Sequence, residues 1–109
     1  MIVVTSPNIV GHEIVETIGM VRGTTVRARH LGKDILAWMR NLVGGELHEY
    51  TKILAESREH ALDRMCDEAR AMGADAIVDA RFSTSNIAAG AAEVLVYGTA
   101  VRLKEHVED

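Results

Sequence analysis

Cysteine is all but missing from this chain. The single copy, Cys66, cannot close an internal disulfide, so a reducing, cytoplasmic compartment is expected. Long apolar runs are missing too, since none approaches the ~20 residues that span a bilayer. The opening residues, Met1-Ile2-Val3-Val4-Thr5, lack a charged leader and are too short for the apolar core of a signal peptide. Nor is there a cationic excess. Lys and Arg number 12 against 16 Asp and Glu, a formal net charge of -4. A general nucleic-acid binder needs a basic surface to displace counterions, and an anionic membrane surface makes the same demand. Neither is expected as a partner. Internal repeats, low-complexity tracts and linkers are also lacking.

What is present suits one folded domain. The chain has 109 residues, 48% of them hydrophobic and 26% charged, which is ordinary for a globular protein and excludes disorder. Glu13 to Ala28 is rich in β-branched residues and reads as a long strand or strand pair. Gly19 and Gly23 interrupt it, which suggests bends or bulges. Lys33 to Val43 reads as a short helix ended by Gly44-Gly45. A much longer helix is expected from about Leu47 to Met72. Tyr50, Leu54, Ala61, Met65, Ala69 and Met72 form its apolar stripe, and Lys52, Glu56, Glu59, Asp63, Arg64, Asp67 and Arg70 its charged face. Gly73 is placed to end it.

Ala74 to Ser83 alternates, with Ala76, Val78, Ala80 and Phe82 on one face, and reads as a strand buried on one side. Asn86 to Ala92 looks like a connecting loop. Glu93 to Lys104 is the last strand, and both of its faces are apolar: Val94 and Val96 against Leu95, Tyr97, Val101 and Leu103. The first strand likewise carries Ile14, Ile18, Met20 and Val26 on one parity and Val15 and Val21 on the other. One long helix covers only one face of such a sheet. With nothing else in the chain to bury the second face, another copy of the chain is the natural cover. Ile14, Leu95, Val96 and Tyr97 are the expected interface residues.

Several segments together resemble the YbjQ-like family, a group of small prokaryotic proteins to which heavy-metal binding is attributed. They are Gly19 to Gly23 (GMVRG), Arg29 to Asp34 (RHLGKD), Arg40 to Glu46 (RNLVGGE), Glu49-Tyr50-Thr51, Gly73 to Val78 (GADAIV) and Tyr97 to Val101 (YGTAV). The match runs over nearly the whole chain. The resemblance implies an α/β (α+β) fold: a two-layer β-α-β-β subunit with a long helix on a small, mainly antiparallel sheet, similar in architecture to dodecin subunits. It further implies assembly as a ring-shaped homopentamer, and it makes a divalent heavy metal the expected ligand.

The residues offer only modest constellations for that chemistry. Borderline metals want thiolate and imidazole, three or four ligands converging on a point. The chain has Cys66 and five histidines, His12, His30, His48, His60 and His106, without a CxxC, HxxxH or HExxH spacing. The best local group is Glu56, His60, Asp63 and Asp67, spaced to project from one helix face. The same four residues also fit a solvated face with ion pairs to Arg64 and Arg70. In a ring, His12, His30 or His48 repeated around an axis would complete a coordination shell. Arg40 followed by Gly44-Gly45 and a helix start resembles an anion site in outline, or else a simple turn with Arg40 paired to Glu46. Trp38 would stack on a planar ligand in a dodecin-like architecture, or else serve as core. No nucleophile with a base and an orienting group is evident. The expected function is non-enzymatic: a homopentamer binding a small ligand or heavy metal near subunit contacts. The alternative is a scaffold whose ring is itself the functional object.

Overall fold

Val, Thr and Ile crowd the chain from residue 14, and their stiff, branched side chains favour an extended backbone. They form the 15-residue strand β2 (Ile14–Ala28). The structure is a computed structural model. Its described backbone covers residues 1–28, 45–88 and 91–105, and its described side chains 1–26, 52, 54–85 and 92–105. The expected short helix over Lys33 to Val43 lies outside these residues.

Around β2 stand the two-residue strand β1 (Ile2–Val3), the 27-residue helix α1 (Gly45–Ala71), and two 13-residue strands, β3 (Ala76–Ala88) and β4 (Ala91–Leu103). The sheet order is β1-β3-β4-β2. β4 pairs antiparallel with both long neighbours, and β1 pairs parallel with β3, placing Ile2 beside Ala76. The fold is therefore α+β, one helix on a four-stranded mixed sheet. β1 is an addition to the expected set, since two residues carry no readable period. The segment expected as a loop, Asn86 to Ala92, is also corrected. β3 runs to Ala88 and β4 starts at Ala91, with Asn86 opposite Ala92 and Ala88 opposite Ala91. Alanine has little strand preference, but cross-strand pairing overrides local propensity.

α1 buries Ala61, Met65 and Ala69 completely and leaves Glu56, Glu59, Asp63, Asp67 and Arg70 exposed. Its C-terminus is closed by a pair of bonds in which the Ala74 N–H donates to the Ala69 carbonyl and the Gly73 N–H to that of Arg70, each at 3.0 Å. This is the Schellman arrangement. It requires the left-handed φ of 78° that Gly73 adopts, which a residue with a Cβ takes up only at a cost.

α1 lies unusually close to β2. A Cβ at Gly23 would stand 2.6 Å from the Met65 backbone nitrogen and closer still to the Ala61 carbonyl oxygen. Two residues along, the Thr25 hydroxyl donates to the Ser57 carbonyl at 2.9 Å, with both residues buried. The helix-side core is built from Val21, Ala61, Met65, Cys66, Ala69, Ile77, Ala80, Val94, Val96 and Ala100, with Val3, Ile18, Leu62 and Ala74 packed at its margin.

The opposite face has a smaller core of Ala76, Val78, Val101 and Leu103, against which Val4, Ile9 and Ile14 pack. The chain after β1 doubles back beneath the sheet. Its path is fixed by bonds from the Val4 N–H to Ile77 O, from Asp79 N–H to Ser6 O and from Ala80 N–H to Val4 O, each at 3.0 Å. The expectation that nothing else in the chain buries the second face is thereby corrected. The first 14 residues cover one end of it.

The expected alternation along β3 also fails midway, because Ala76 and Val78 belong to one core and Ala80 to the other. The register slips between Val78 and Arg81, and Asp79 takes a φ of 54°. One extra residue in the strand flips every following side chain, and Asp is among the few non-glycine residues that tolerate the left-handed region. Phe82 consequently pairs with Val96 on the helix side of the sheet, where it stays about half exposed.

Two substitutions test this account of the core. Gly23→Ala must push α1 off the sheet backbone, and overpacking of this kind costs about 3 kcal/mol. It should lower the melting temperature by more than about 10 °C. Gly73→Ala forces a side chain into the left-handed region and should cost about 1 kcal/mol. Denaturant midpoints at matched protein concentration measure both, and a Gly23→Ala midpoint equal to wild type would refute the close approach.

Candidate functional site

The helix-face group comes first. Glu56, His60, Asp63 and Asp67 all lie exposed on α1. Their spacing puts them on one face but stretches them along it. Eleven residues separate Glu56 from Asp67, about 16 Å at the helical rise, whereas metal ligands sit roughly 2.0–2.3 Å from their ion. One ion therefore cannot gather all four. Among the described residues no group of three or more His, Cys, Asp and Glu side chains could hold a metal ion. Asp67 instead accepts from Arg70 Nη1 at 3.1 Å, with both side chains more than half exposed, a pairing worth little in water. The expected pairing of Arg64 along the helix is not what its guanidinium does: it reaches across to donate to the Thr24 carbonyl on β2. The residues described in one subunit thus do not fit a resident heavy metal.

Of the other sulfur and nitrogen candidates, Cys66 and His12 have described side chains. Cys66 sits in the helix-side core. His12 closes an exposed turn in which its N–H donates to the Ile9 carbonyl at 3.1 Å. His30, Trp38, Arg40 and Gly44 lie outside the described residues, so the anion-site and stacking expectations have no geometry here. Gly45 opens α1. Asp75, at the entry to β3, is committed to the sheet. Its N–H donates to Val101 O and its Oδ2 accepts from the Leu103 N–H, both at 2.9 Å.

The second candidate is the sheet face turned away from α1. Alternation along β2 and β4 puts Met20, Arg22, Thr24 and Val26 there beside Leu95, Tyr97 and Thr99. The pairing aligns them in rows: Arg22, Tyr97 and Arg81 in one, Thr24, Leu95 and Ser83 in the next, Met20 and Thr99 in a third. Met20 is 67% exposed, Val26 54% and Tyr97 40%. Arg81 is engaged at the margin, donating through Nη1 to Thr5 O at 2.8 Å and to Ala80 O at 2.9 Å, with Asp79 Oδ1 4.0 Å from its Nη2. It ties the N-terminal segment to the β3 bulge. Near the start of β2, ion pairs at 3.7 Å join Glu16 to Arg102 of β4, both about half exposed, and Glu13, just before β2, to Lys104, just after β4, both about two-thirds exposed.

The expected interface set divides between the two faces. Ile14 is half-buried in the smaller core, and Leu95 and Tyr97 sit on the outward face. Val96 is fully buried beneath α1 within its own chain, so its burial needs no neighbour. Met20, Arg22 and Val26 were not singled out as interface residues. Of the parity set Ile14, Ile18, Met20 and Val26, three members lie on this face, whereas Ile18 packs against the helix-side core because the register of β2 slips between Ile14 and Glu16 and again between Thr17 and Gly19. Among the described residues no helix is long and apolar enough to cross a membrane.

Comparison with known proteins bears on the whole chain. A family described as "Putative heavy-metal-binding" matches residues 1–104. A UPF0145 protein of Methanosarcina acetivorans is 56% identical over 103 residues, covering 94% of this chain and 97% of the relative. A UPF0145 protein of Thermosipho africanus is 52% identical over 108 residues, covering 99% and 100%. Among solved structures, a protein of unknown function from Pediococcus pentosaceus superposes with a TM-score of 0.64 over 95% of this chain and 98% of that one. At 18% identity it supports the fold alone. The GMVRG, GADAIV and YGTAV segments thus sit within a match running from the first residue to Leu103-Lys104, and the chain belongs to the YbjQ-like, UPF0145 family.

Proposed function

We propose that this protein is the subunit of a cytoplasmic homo-oligomer, a ring of five, that binds a small ligand or heavy-metal ion at contacts between subunits rather than catalysing a reaction. The observation that carries the reading is the outward sheet face: Met20, Val26, Leu95 and Tyr97 in adjacent register rows, left uncovered by the N-terminal segment that covers the other end. Three of the four are more than a third exposed, a grouping that marks an interaction surface more often than scattered single residues do.

A second copy is the favoured cover because most soluble oligomers are closed and symmetric. The lack of a three-ligand group among the described residues also favours the second reading, a scaffold ring without a small ligand.

The two cores separate two substitutions. Val96→Asp should unfold the subunit, since a carboxylate beneath α1 has no partner there. Tyr97→Asp should leave the fold intact and dissociate the assembly, as read by circular dichroism together with sedimentation velocity. A wild-type chain that is monomeric at micromolar concentration defeats the reading. Native mass spectrometry of untagged, chelator-free protein then decides between its versions. Stoichiometric extra mass, or a melting temperature raised by zinc, copper or nickel through mass action, supports ligand binding. A bare ring that takes up none of them supports the scaffold.

A further inference from the structure

Soft heavy ions, such as mercury(II), cadmium(II) and copper(I), are held best by sulfur ligands, thiolate above all, and this chain has one thiol to offer. That thiol is walled in. Cys66 is 8% exposed and lies in the core between α1 and the sheet, in one cluster with Val21, Ala61, Met65, Ala69, Val94 and Val96. Ala61, Met65 and Ala69 on its own helix are fully buried. The wall closes where the helix backbone rides on Gly23, with too little room for a methyl group between them. A thiolate site also needs further donors converging on the sulfur. The surroundings are apolar, and no described group of three or more His, Cys, Asp and Glu includes Cys66.

We infer that the metal chemistry of this protein excludes its thiolate. Any ion held by the folded chain is held by other donors, and Cys66 meets a soft ion only when α1 lifts from the sheet. Ions that demand a thiolate, cadmium and mercury(II) foremost, are therefore disfavoured, whereas imidazole, carboxylate and the exposed thioether of Met20 stay open to borderline ions and copper(I). This deepens the binding reading above and rests on it for the class of ion, while the seclusion of the thiol stands on the core alone. The charged face of α1 contributes nothing to such a thiolate site, since Glu56, His60, Asp63 and Asp67 point to solvent.

The test uses the untagged wild-type protein, with Cys66→Ala as its control. A thiol-specific disulfide reagent should titrate Cys66 in the folded protein at least about a hundredfold more slowly than in denaturant, because reaction must await opening of the helix. Cadmium added to the folded protein should produce no thiolate-to-metal charge-transfer absorption, and the band should emerge only on unfolding. Zinc, where it is retained, should be retained equally by wild type and Cys66→Ala. The inference is overturned by a cadmium–thiolate band of one per chain in the native protein that Cys66→Ala abolishes, or by thiol titration as fast folded as unfolded. If neither protein retains zinc, nickel or copper, the metal-binding reading fails while the two thiol measurements still decide this one.

Discussion

The contact on which the rest of the subunit depends is the meeting of two backbones, α1 across β2 at Gly23. Few side chains are available to fill a wide gap between the layers, for the sequence holds one Trp, two Tyr and one Phe. Tyr97 and Phe82 are both substantially exposed. The helix-side core is made instead from Ala61, Ala69, Ala80, Ala100 and several valines, with Met65 its bulkiest fully buried side chain. Small side chains bury little area each, so the layers must approach closely to exclude water and regain dispersion contacts. Gly23 permits that approach, and the buried bond from Thr25 to the Ser57 carbonyl fixes the helix at that height.

A second constraint sets what the subunit shows to its surroundings. Up to Val78, β3 follows one parity, and beyond the Asp79 bulge it follows the other. Without the bulge, Ala80 would leave the helix-side core and Phe82 would turn to the outward face. Arg81, which follows directly, hydrogen-bonds the Thr5 carbonyl, so the same irregularity anchors the N-terminal segment that covers one end of that face. The boundary between the covered end and the uncovered remainder therefore lies at one left-handed residue and the arginine beside it.

Much of this was legible in the sequence because it depended on local periodicity. The Ala61, Met65 and Ala69 stripe of α1 and its charged opposite face, the terminating glycine at residue 73, and the doubly apolar β4 all follow from spacing, whereas Met72, expected on the same stripe, lies beyond α1 and is 39% exposed. What the spacing does not carry depends on contacts distant in sequence. β1 is two residues long and exists only because β3 is there to pair with it. The continuation of β3 and β4 through Asn86 to Ala92 is enforced by cross-strand partners rather than by propensity. The bulge at Asp79 leaves no composition signal. For the candidate site, the shared face of Glu56, His60, Asp63 and Asp67 was readable, but their separation along the helix axis, which bars a single ion, follows only from the helical rise. Val96 and Leu95 are neighbours in sequence and equally apolar, yet only the position of α1 shows which of them is core.

On the oligomeric reading proposed above, symmetry is what would reconcile the description attached to the family with the donor chemistry of one subunit. Among its described residues a single chain offers no group of three converging donors, and its thiol is enclosed. Rotation about a cyclic axis multiplies any donor near that axis by the number of subunits, so one imidazole or carboxylate per chain becomes a ring of ligands without any motif in the sequence. Such a site would leave no trace in spacing, would be absent from the subunit alone, and would couple ion binding to assembly, because the ion would stabilise only the associated state. Oligomerisation and metal binding would then be one equilibrium, and the strength of each would depend on the concentration of the other partner.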